Sequence, residues 1–113
     1  MRIRDIPEKN KHGNCFQAAY DYLIRHPDTI LVHGVVTGQG AIKGVQYTHA
    51  WIEDGDTVID KTIPEEFSEL PKMVYYSLGN IKITRRYTYK EALQQVVETE
   101  HYGPWDKVFD SYL

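Results

Sequence analysis

The chain holds one cysteine, Cys15, among its 113 residues, so no internal disulfide can form. A lone thiol suits a reducing compartment, and the expected location is the cytoplasm. No run of about 18 apolar residues occurs, so no membrane-spanning helix is expected. The basic opening, MRIRDIPEKNKHGN, has no apolar segment behind it and lacks the form of a secretory signal. Concentrated basic charge is also missing, since 13 Lys and Arg face 16 Asp and Glu for a net charge of −3. Binding to nucleic acid needs a basic face, so none is expected. Lys82, Arg85 and Arg86 come nearest to one and read as the solvated side of a strand. Repeats and low-complexity segments are absent. So are the paired spacings of a zinc site, although His12, Cys15, His33 and His49 supply the right side chains. No metal or cofactor is expected.

What is present fits one α+β domain over 1–113. After a polar start ending in the turn-prone pair Gly13-Asn14, Phe16, Ala19, Tyr20 and Leu23 recur at helical spacing. That helix is expected to open at Asn14 or Cys15 and to close near Arg25, because Pro27 drives His26 out of the α region. Residues 30–36, ILVHGVV, read as a buried strand. Gly38, Gly40 and Gly44 then mark a loop able to act as a mobile flap. Asp54-Gly55 between 45–53 and 56–60 is a strong two-residue hairpin signal. Residues 61–72, with Pro64 and Pro71, read as loop or short irregular helix. A second hairpin is expected from 74–77 and 81–87 around Leu78-Gly79-Asn80. Thr88-x-x-Glu91 is a capping box. The helix it opens should bury Ala92, Leu93, Val96 and Val97 and stop before Tyr102, with the aromatic tail packing back on the body.

A lone cysteine is most often a small buried hydrophobe. At the first turn of a helix it would instead meet the positive end of the dipole and unpaired N–H groups, which favour the thiolate and can receive an oxyanion. With Asp54-Gly55 as the turn pair, Glu53 faces Asp56, Trp51 faces Val58 and His49 faces Asp60. Directly opposed residues have Cβ atoms about 4.5–5.5 Å apart, so a carboxylate is set beside an imidazole. A nucleophile, a base and an orienting acid are the parts of a catalytic triad. Trp51 shares the hairpin face of His49 and is either a pocket wall or a core aromatic.

The run His49-Ala-Trp-Ile-Glu53, a turn, and Val58-Ile-Asp60-Lys-Thr62 resembles the histidine and aspartate strands of the transglutaminase-like superfamily. Gly13-Asn-Cys15-Phe-x-Ala-Ala19 is similar to the cysteine helix of the wider papain-like fold. The resemblance covers about residues 13–62 and keeps the chain order Cys, His, Asp. It implies a papain-like fold, with a nucleophile helix packed on a small antiparallel sheet. It further implies that Cys15 is the nucleophile, His49 the general base and acid, and Asp60 the residue holding the imidazole. Papain-like enzymes commonly carry a glutamine some six residues before the cysteine for the oxyanion hole. Lys9 stands there, and Asn10, His12 or Asn14 is the nearby alternative, the two asparagines being the candidate donors. The implied activity is thiol-dependent hydrolysis or acyl transfer on a peptide, a protein side-chain amide or a small acyl substrate. The rival is a catalytically silent papain-like interaction or regulatory module, of the kind carried by a mobile element.

Overall fold

The computed structural model describes residues 9–38, 43–62 and 68–112, with side chains from Cys15 onward. Helix α1 (Lys9–Arg25) opens the described chain. Strands β1 (Ile30–Thr37), β2 (Gln46–Asp54), β3 (Thr57–Ile59) and β4 (Glu69–Pro71) follow. Helix α2 (Lys72–Gly79), strand β5 (Thr84–Tyr87), helix α3 (Tyr89–Thr99) and a 3-10 helix, Lys107–Tyr112, complete it. The strands form one antiparallel sheet in the order β4-β3-β2-β1-β5. This is an α+β architecture.

Strand alternation gives the sheet two unlike faces. Leu31, Ala50, Ile52 and Ile59 point to one side and form a core with Phe16, Ala19, Tyr20 and Leu23 of α1 and Ala92 of α3. Those four α1 positions fall on one helical stripe. Val32, Val36, Trp51 and Val58 point to the other side, where Tyr75 and Tyr76 of α2 cover them. Gly34 is needed at the centre of β1. A Cβ there would collide with the Trp51 ring, whose Cζ3 would lie 3.1 Å away, and with the carbonyl oxygen of Ile83, also at 3.1 Å.

Helix α1 begins earlier than the sequence suggests: Cys15 lies six residues beyond Lys9, and Gly13-Asn14 is helical. It ends as expected, with the His26 N–H donating to the Tyr22 carbonyl at 2.9 Å before Pro27 breaks the pattern. The hairpin between β2 and β3 is also shifted. Glu53 pairs with Val58 and Asp54 with Thr57, so the turn residues are Gly55-Asp56. Gly55 has φ 60° and Asp56 is not in the left-handed region, the pattern of a turn with glycine first. The second expected hairpin does not form. Residues 72–79 are helical, and Asn80 caps α2 with φ 48°, so only Thr84–Tyr87 is strand.

The capping box at Thr88 and Glu91 is present on both sides. Of the residues expected to be buried on α3, Ala92 is sealed and Val96 partly covered, but Leu93 is 39% and Val97 70% exposed. The tail does pack back, with Trp105 and Phe109 against His33 at ring separations of 4.8 and 6.3 Å. The loop expected over 61–72 includes β4, and its residues 63–67 lie outside the described residues. The same holds for Gly40 of the glycine loop. The flanks of that loop meet through Gly38 N–H to the Val45 carbonyl at 2.7 Å.

Candidate active site

The site forms where the sheet runs out. Strand β3 stops at Ile59, and beyond it the Asp60 N–H turns to the Ser68 carbonyl at 2.8 Å. The hairpin is offset by two residues from the expected pairing. An even offset keeps every side chain on its expected face, because strand side chains alternate with period two. His49 and Asp60 therefore meet diagonally, not directly opposed, and His49 Nε2 lies 2.7 Å from Asp60 Oδ2. Both side chains are buried.

Asp60 uses both of its oxygens. Oδ1 accepts from the Thr62 hydroxyl at 2.6 Å and the Thr62 N–H at 3.0 Å. Oδ2 accepts from the Tyr75 hydroxyl at 2.7 Å besides meeting the imidazole. Burial alone would raise the carboxyl pKa, but the His49, Thr62 and Tyr75 donors and the imidazolium charge outweigh it and hold the group ionised. His49 shows the mirror effect. Burial disfavours its charged ring, yet the charge of Cys15 and the bond to Asp60 raise its affinity for a proton. Cys15 acts on the same ring, through its charge and a side-chain hydrogen bond.

Cys15 itself is buried at 1% exposure. It comes from the helix side of the sheet while His49 comes from the other, and the end of β3 is where the two meet. Cys15, Asp60 and Thr62 share a pocket of about 10 Å³ with Trp51 and Lys61. That is room for about one water molecule. The position of Cys15 corrects the expected source of thiolate stabilisation. The dipole effect fades within a helix's first turn, and Cys15 lies beyond it. The charged group that meets Cys15 here is His49, and not the helix end. Asn10 and Asn14 fall in the first turns of α1, and their side chains lie outside the described residues. Trp51 lines the pocket but is chiefly a core residue, packed 5.2 Å from the Tyr75 ring and 6.2 Å from His49.

A second buried carboxylate lies on the same face. Glu53 accepts from Trp51 Nε1 at 3.2 Å and from the Tyr76 hydroxyl, and pairs with Lys72 and Arg86, each at 3.2 Å. These partners outweigh burial and keep it ionised. Tyr75, Tyr76, Lys72 and Arg86 carried no signal in the sequence, because adjacent tyrosines in an apolar segment read as strand or core. Among the described residues no three His, Cys, Asp or Glu side chains group as metal ligands, and no helix is long and apolar enough to cross a membrane. His33 is remote in kind as well as place: it is enclosed by aromatic rings on the other face, and burial pushes its pKa down to about 3. Comparison with protein-family models, with curated proteins and with solved structures gives no match to this chain.

Proposed function

We propose that this protein is a thiol-dependent hydrolase or acyltransferase of the papain-like, transglutaminase-like kind, working in a reducing compartment. The observation that carries the reading is the buried His49–Asp60 pair with the charge of Cys15 bearing on the same ring. In the first step the Cys15 thiolate forms a bond to the carbonyl carbon of an amide or ester. The tetrahedral species then expels its amine or alcohol, which takes the proton from the His49 imidazolium. In the second step water or an amine attacks the thioester, gives its proton to His49 and releases the thiolate. Asp60 holds the ring in one orientation throughout and remains a carboxylate. The pocket has room for about one water, so an acyl group enters only by displacing lining side chains. Small or extended acyl substrates fit that constraint better than bulky ones.

The tight pocket and the burial of Cys15 favour a second reading, a catalytically silent module in which the same cluster is structural. Alkylation by iodoacetamide separates the two. An imidazolium-paired thiolate keeps reacting at pH 6, and His49→Ala should slow that reaction by at least about tenfold. A Cys15 that reacts no faster than a free thiol, with a rate indifferent to His49, would leave the silent module standing.

A further inference from the structure

The orientation of Asp60 is already fixed by Thr62, whose two donors take Oδ1. Tyr75 adds something else. It comes from α2, a helix with no buried residue, and its hydroxyl donates to Oδ2, the oxygen that also meets His49. Two donors on one oxygen compete for its charge. The more the phenol draws, the less firmly that oxygen grips the imidazolium proton. The phenol stays a donor because burial, and then the charge of Asp60, push its pKa far upward.

Among the described residues, Cys15, Tyr47, Thr62 and Lys61 also stand near this pair. Cys15 approaches from α1. Tyr47, on the same strand as His49, sets its ring 6.1 Å from the imidazole, and Thr62 follows Asp60 in the chain. Thr62 spends its hydroxyl and N–H on Oδ1, with the hydroxyl 3.4 Å from His49 Nε2, whereas Tyr75 donates to Oδ2 itself. We infer that Tyr75 is a positioning residue for His49, acting through Asp60 Oδ2 to set how readily the ring gives up its proton. The inference rests on the thiol–imidazole reading above. It makes α2 part of the site and not only a cover for the sheet.

Tyr76 supplies the control, since its hydroxyl ties the same helix to Glu53 instead. The experiment is an NMR titration of the His49 ring in the full chain, in wild type, Tyr75→Phe and Tyr76→Phe. Tyr75→Phe should raise the His49 midpoint by about half a pH unit or more, and Tyr76→Phe should leave it in place. An unmoved midpoint in Tyr75→Phe overturns the inference. So does an equal shift in both variants, which would mean that only the seating of α2 matters. If Tyr75→Phe does not fold, 3-fluorotyrosine at position 75 keeps the size and strengthens the donor. The midpoint should then fall, and no change overturns the inference. Failure of the thiol–imidazole reading would show separately, as Cys15 alkylation indifferent to His49→Ala, with the NMR shift still deciding the case of Tyr75.

Discussion

Both oxygens of Asp60 face donors: the imidazole and a phenol on one, a hydroxyl and an amide N–H on the other. Asparagine keeps the shape but replaces one acceptor by an NH₂ group. Whichever way the amide turns, that group confronts donors already in place. Asp60→Asn should therefore cost about 1–3 kcal/mol in stability, seen as a lower urea midpoint. An unchanged midpoint would mean that the carboxylate is not held from both sides. Such dense satisfaction is what a buried charge requires, and Glu53 solves the same problem with two cations and two neutral donors.

Individual elements differed in how far the sequence disclosed them. Periodicity in 16–23, the β-branched run 30–36 and the Thr88 box each combine a local signal with a matching tertiary role, and all three form. The meeting of His49 with Asp60 was legible because an even offset preserves the face, though the pairing itself was misplaced. The start of α1 was not legible, since Gly13-Asn14 has turn propensity and yet both residues are helical. Nor was α2, whose Val74-Tyr75-Tyr76 suits a strand as well as a helix. The donors on the two carboxylates went unseen for that reason. Strand β1 carries its own test at Gly34. Alanine there would press on Trp51, which is sealed in the core and cannot yield, and on the backbone of Ile83. Gly34→Ala should lose about 1–3 kcal/mol in a thermal or urea melt. A variant as stable as wild type would show that Trp51 can move aside.

Over the whole molecule, acid should act through His33. Its ring nitrogens have no hydrogen-bond partner among the described residues, and the rings of Phe16, Tyr87 and Trp105 surround it. Arg85 lies opposite on β5, its guanidinium paired with Asp106 at 2.9 Å. The folded pKa is pushed down to about 3 by burial. An unfolded histidine titrates near ~6.5, so between these values the unfolded chain takes a proton that the folded one refuses. Stability thus falls as pH drops below ~6.5, by about 2 kcal/mol at pH 5. His49 works in the opposite sense. Its contribution is full below ~6.5 and disappears only as pH climbs through its raised folded value, while Asp60 begins to lose its contribution only as pH falls below ~3.9. Glu53, also held ionised, begins to lose its contribution only near its ordinary value of ~4.5, so the fall between pH 6.5 and ~5 belongs to His33. Urea midpoints at those two pH values should differ much less in His33→Phe, whatever its absolute stability, and an equal difference in both proteins would acquit His33.

The attachment of α2 has a mechanical side. A helix held by a greasy stripe can roll or slide, because apolar contact is indifferent to direction. Helix α2 buries no residue fully and is pinned by two neighbouring phenols. Successive side chains leave a helix about 100° apart, and here they end on anchors beyond β3 and on β2. Two pins at different bearings remove rotation about the axis as well as travel along it. The helix is therefore a rigid strut across the end of β3, and any displacement of it must break at least one of the bonds that keep the site's carboxylates charged.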